Sequence, residues 1–164
     1  FFRKQNHMDK FHSVLDFWFE GTPQHNVKHR WFLSNGSDAQ LEFDKLVTEK
    51  FSDTLELALR GEFDELAKQT ARDALALIII VDQFSRHIYR SNPQALQQCD
   101  EKATNLTKQS LKLNFDRQLS TQEYVFLLMP LRHGKDKYDL ERLQNVVDLC
   151  DSRNESDLQQ QQLL

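Results

Sequence analysis

The sequence predicts an all-α fold, an irregular stack of antiparallel helical hairpins with about seven helices, and three observations predict it. Chain breakers are scarce: 4 Gly and 3 Pro in 164 residues, about a third of the roughly 12% usual for the pair. Sandwiches, barrels and disordered linkers need frequent turn residues and are excluded on that ground. Apolar residues recur at steps of three and four in segment after segment. Capping signatures stand at the head of most of these segments.

The first periodic segment spans 9–19, with Phe11, Val14, Leu15 and Trp18 on one face; Gly21 and Pro23 end it. Residues 1–8 read as an N-terminal extension, and 9–164 as a single helical domain. The chain opens on Phe1 rather than Met, and its first residues are too few and too polar for a signal peptide. A processed end, a partial chain, or leader residues before a start at Met8 all fit. Trp31-Phe32-Leu33 is an apolar cluster too short for a helix of its own. Ser37 with Gln40 makes a capping-box pattern for a helix carrying Phe43, Val47, Phe51, Leu55 and Ala58, and Gly61 stands where a C′ glycine belongs.

Thr70 and Asp73 head the most apolar helix. From Ala74 to Val81 it has no polar face, which predicts a central position covered on all sides. Asn92-Pro93 is a stop and restart, Asn suiting an N-cap and Pro the first helical position. Leu96, Cys99, Ala103, Leu106, Ser110 and Leu113 mark the next stripe. Ser120 with Glu123 is a second capping box, leading into a helix that Pro130 kinks or ends and Gly134 closes. Leu140, Leu143, Val147 and Cys150 give a further stripe, and residues 154–156 a cap for a last short helix.

The net charge of −4, from 21 Lys+Arg against 25 Asp+Glu, leaves no basic block for phosphate-driven nucleic-acid binding. The longest apolar run, 74–81, is far short of the ~20 residues that span a bilayer. Cys99 and Cys150 lie on apolar stripes without CxxC spacing, so they read as free core thiols. A reducing compartment, cytoplasm or organelle matrix, follows.

The densest polar group follows the apolar helix: Asp82, Gln83, Arg86, His87 and Arg90. Asp82, Arg86 and Arg90 share one helix face at i, i+4, i+8. They suit an anion or carboxylate site, or an acid held by a guanidinium. They equally suit buried ion pairing that stitches this helix to its neighbours, and the second weighs more, because helices leaving a core need paired charges. On either reading Asp82 is expected ionised against Arg86 or a helix N-terminus, and Arg90 against an acid of another helix or a bound anion. His133, with Asp136 and Asp139 nearby, has the chemistry of a general base, although a histidine at a helix C-terminus more often satisfies the last carbonyls. His25 and His29 have metal-ligand spacing but no third ligand, and the scattered glycines form no phosphate loop. Neither a metal nor a cofactor is expected. The aromatic group Phe17, Trp18, Phe19, Trp31 and Phe32 suits a ligand pocket or, more simply, a seal on one end of the core.

Three stretches resemble one family: 14–19 (VLDFWF), 30–32 (RWF) and, most specifically, 75–90 (LALIIIVDQFSRHIYR). Residues 126–133 (FLLMPLRH) fit its later F-L-x-x-P-x-x-H stretch. The chain from Val14 to about residue 149 is thus similar to the domain-of-unknown-function family nine-two-four. The resemblance implies an all-helical, tetratricopeptide-like fold and no established activity. It singles out Asp82, Gln83, Arg86, Tyr89, Arg90, His133 and Asp139 as the positions matching the family's most distinctive polar letters. The chain departs from the pattern at Arg132, where the family usually has Glu, and at Gly134 and Leu140, which replace Ser and Gln. A further segment like F-G-R-F-P-H-R-N is implied after the last helix, beyond Leu164.

Two functions follow. Stacked hairpins present concave surfaces, which favours an interaction or accessory-subunit module with a protein partner or larger assembly. The alternative is a small-molecule-binding protein or enzyme, with a small anionic ligand at the Asp/Arg/His face.

Overall fold

The structure, a computed structural model, describes residues 2–19, 31, 33–133, 141, 144 and 148. Among them no strand occurs. There are five helices rather than about seven: α1 (Phe2–Phe19), α2 (Asp38–Leu59), α3 (71–88), α4 (Pro93–Lys112) and α5 (Thr121–Leu128). Short 3-10 turns at Leu66–Lys68, Phe115–Gln118 and Met129–His133 take the place of further helices. The stripes expected at 140–150 and the cap at 154–156 lie outside the described residues, as do Gly134, His25, His29, Phe32 and Cys150.

The helix starts follow local chemistry. The Ser37 hydroxyl accepts the Gln40 N–H at 3.2 Å, and the Gln40 side chain reaches back to accept the Gly36 N–H at 2.6 Å. The Thr70 hydroxyl accepts the Asp73 N–H at 3.0 Å. Asn92 accepts from Ala95 at 3.2 Å, with Pro93 at the first helical position. Ser120 and Glu123 make the full reciprocal box, 3.3 Å and 2.9 Å. Each satisfies N–H groups that have no partner within the helix, and each such cap contributes about 1 kcal/mol. Gly61 adopts φ +86°, the left-handed conformation expected just past the end of α2.

α1 begins at Phe2 rather than at Asp9, so residues 2–8 continue the first helix. Its buried face is Phe11, Val14, Leu15 and Trp18. α1 and α2 run antiparallel, because Phe17 meets Phe43 and Phe51 while Lys10 pairs with Asp53. Likewise Phe43 meets His87 while Phe51 stacks on Phe84, which sets α3 antiparallel to α2. α4 and α5 are joined in the same sense by Thr107 to the Leu127 carbonyl and Thr104 to the Pro130 carbonyl. α3 touches every other helix. Its residues 75–81 are all within 3% of complete burial, as their unbroken apolarity requires.

α3 is not regular throughout. An α segment Ala71–Ile78 passes into a π-helical segment Ile79–Phe84 and returns to α at Ser85–Ile88. The Ser85 N–H bonds the Ile80 carbonyl five residues back. That leaves the Val81 carbonyl without its usual partner, and the Ser85 hydroxyl donates to it at 2.7 Å. A buried hydroxyl thus repairs the ladder where the helix widens.

The α4 stripe is buried at Cys99, Ala103, Leu106, Thr107 and Ser110, but Leu113 is 43% exposed. α4 ends at Lys112, and Asn114 turns the chain at φ 56°, so Leu113 no longer points with the stripe. Pro130 sits in the 3-10 turn after α5, where its missing N–H interrupts no α-helical bond. No helix among the described residues is long and apolar enough to cross a membrane.

Two outcomes follow. Leu77→Ala, at a fully buried position, is expected to lower unfolding free energy by about 2–5 kcal/mol in urea melts followed by circular dichroism. Cys99 is a buried free thiol whose pKa burial pushes up to about 11. Peptide mapping after iodoacetamide at pH 8 should find it unlabelled in native protein and labelled in urea.

Candidate polar site on the third helix

Where α3 leaves the core, two ionic clusters sit within one helical turn of each other. The inner one centres on Asp82, which is completely buried in the π segment. Gln83 donates to its Oδ2 at 2.5 Å, and the Arg86 Nη2 lies 3.4 Å from its Oδ1. The same Nη2 hydrogen-bonds Asp100 of α4. Arg132, from the turn after α5, brings a second guanidinium within electrostatic range of Asp82, Arg86 and Asp100. Two carboxylates and two guanidiniums balance, as a cluster at the edge of an apolar core must.

The outer cluster joins α3 to α2. Arg90 grips Asp44 with both arms of its fork, Nε to Oδ2 at 2.6 Å and Nη2 to Oδ1 at 2.8 Å. His87 Nδ1 lies 2.7 Å from Asp44 Oδ1. The expectation that Arg90 meets an acid from another helix is met by Asp44. Burial acts to raise the Asp44 pKa, but hydrogen bonds from Arg90 and His87 outweigh it and hold the carboxyl below its ordinary value. The bond to Asp44 raises Arg90 in turn. Burial lowers His87 below its ordinary 6.5, against the pull of Asp44 and with the help of Arg90. His87 is therefore neutral at pH 7, its Nδ1–H donating to Asp44 and its Nε2 carrying the lone pair.

The other expected positions divide. Tyr89 is half-buried beside this face, its hydroxyl pKa raised by burial and then by the nearby Cys99 and Glu56. His133 ends the last 3-10 turn, but its side chain, like Asp139, lies outside the described residues. Asp44, Asp100 and Arg132 joined the site without a sequence signal of their own. No group of three or more His, Cys, Asp or Glu that could hold a metal occurs among the described residues. The aromatic cluster does pack at one end of the core, with Trp18, Trp31, Phe19 and Phe126 ring against ring.

Breaking the inner cluster should be costly. Arg86→Ala leaves Asp82 buried without its guanidinium and is expected to lose about 3 kcal/mol of stability in urea melts. The outer cluster adds a pH dependence. Below 6.5 the unfolded chain protonates at His87 before the folded one does, so stability falls with pH; Asp44, also depressed, pulls the same way at still lower pH. Thermal melts at pH 7 and pH 5 should therefore differ less for His87→Gln than for the parent.

The family model described as "Bacterial protein of unknown function" (DUF924) matches residues 14–163. A protein of unknown function from Agrobacterium tumefaciens has a similar structure, with a TM-score of 0.71. The two share 24% identity, over 87% of this chain and 74% of that one, a likeness that shows the fold alone. No curated protein matches the chain. With the model spanning all but the first residues and the last, and 75–90 carrying its most distinctive letters, the chain belongs to the DUF924 family.

Proposed function

We propose that the chain is a helical-repeat, tetratricopeptide-like module that binds a protein partner, as an interaction or accessory subunit. One observation carries the reading. An open groove of about 600 Å³ runs between the turn at 64–68 and the outer face of α4. Its lining is almost wholly polar, with Asp64, Lys68, Glu101, Lys102, Asn105 and Gln109 among its walls. Small-molecule pockets are enclosed and mostly apolar, whereas an open, hydrogen-bonding trough suits the rim of a protein interface. Lys102 pairs with Asp64 at 2.7 Å and Lys68 with Glu65 at 2.5 Å, surface pairs that a partner can exchange at little cost. The acidic net charge favours a protein over a nucleic acid. Cys99 as a free buried thiol fits a reducing compartment, cytoplasm or organelle matrix.

A second reading takes Asp82, Gln83, Arg86, Tyr89, Arg90, His133 and Asp139 as a site for a small anionic ligand or for catalysis. The π-helical segment that carries Asp82 favours it, since such widened turns recur at functional sites.

The groove is tested by purification from the native source. A partner in fixed proportion should accompany the parent and be lost from Glu101→Arg/Lys102→Glu, with melting unchanged to within about 0.5 kcal/mol. A partner retained equally by both proteins, or none with the parent, overturns the reading.

A further inference from the structure

Two indole N–H groups are buried without an acceptor, those of Trp18 and Trp31. Trp18 is 2% exposed, and its ring lies 6.0 Å from that of Trp31, nearly parallel. Phe126 meets both edge-on, at 5.5 and 4.7 Å. An indole nitrogen can only donate, so each of these groups leaves a hydrogen bond unmade at a real cost in free energy. Two such omissions in one aromatic cluster call for an acceptor from outside the chain. The same cluster reaches His87, whose ring lies 6.5 Å from that of Trp18. His87 Nδ1 is committed to Asp44, while Nε2 makes no hydrogen bond among the described residues. The dyad is not sealed, since the side chains of His87, Asp44 and Arg90 are 13%, 15% and 35% exposed.

We propose that His87, Trp18 and Trp31, walled by Phe126, form a binding site for a small carboxylic acid with an apolar body. The indole groups donate to the carboxylate, and the rings cover the apolar part. Arg90 already neutralises Asp44, so a second carboxylate meets no uncompensated negative charge. As the ligand docks, a proton from solvent bonds to His87 Nε2 and makes an imidazolium opposite the carboxylate. No other bond is made or broken. The charged groups facing His87 among the described residues are Asp44 of α2 and Arg90 of its own helix, while α1 contributes the uncharged Trp18. The site uses no residue of the partner groove and stands or falls apart from it.

The test is isothermal titration of benzoate into the full chain at pH 7.5, in two buffers of different protonation heat. Saturable binding of roughly millimolar strength is expected for so small a ligand. It should take up about one proton and weaken about tenfold per pH unit. His87→Gln should abolish the uptake and weaken binding at least about tenfold. Trp31→Phe, which keeps an aromatic ring and removes only the donor, should also weaken binding, and it keeps the question decidable if His87→Gln fails to fold. No saturable heat from benzoate, equal binding in Trp31→Phe, unchanged proton uptake in a folded His87→Gln, or benzyl alcohol binding as tightly as benzoate would each overturn the proposal.

Discussion

A carboxylate with no exposed surface sits at the mouth of an apolar core, and the arrangement of the helices around it follows from what that demands. Asp82 comes directly after seven residues that have almost no contact with water. An isolated charge there would cost several kcal/mol, so counter-charge must be brought to it from its own helix and from others. Arg86 supplies it from one turn on, and Asp100 holds the far side of that guanidinium from α4. The apolar half of α3 gathers all the other helices by burial, while its polar half fixes their rotation by ion pairing. Burial is non-directional and tolerates sliding, whereas a forked guanidinium does not.

Much of this was legible in the sequence because it is local. Ser37, Thr70, Asn92 and Ser120 announce their helices through atoms three residues away, and each makes the hydrogen bond its pattern implies. The all-round apolarity of 75–81 was enough to place it at the centre. The helix count was less legible. Segments such as 66–68 and 129–133 carry helical letters but close in 3-10 turns, because tertiary contacts and not periodicity decide how far a short segment extends. The widening at 79–84 was invisible for a related reason: an unbroken apolar run offers no phase by which a slipped register would show.

The candidate site was half legible. Asp82, Arg86 and Arg90 share a face by simple helical arithmetic, and two of the three do meet. Their partners are another matter. Asp44 lies 46 residues from Arg90, and Asp100 lies 14 from Arg86 across a helix turn. Nothing in an acidic residue on a polar helix face distinguishes one that will meet a distant arginine from one that faces water. His87 belonged to the polar group from the outset, but its orientation comes wholly from Asp44.

The π-helical segment sets a rule for how this chain can change length. Restoring a regular α-helix over 79–84 by removing one residue would turn everything downstream by about 100° relative to everything upstream. The apolar half of α3 would keep its place in the core, while His87 and Arg90 swung off the face that Asp44 occupies. The repairing hydroxyl of Ser85 would lose its purpose in the same step, since the Val81 carbonyl would regain a backbone donor. A one-residue deletion here is thus not a local event. It is tolerable only together with a compensating acid elsewhere on α2, so the extra residue in this helix and the carboxylate at position 44 form a single unit of inheritance.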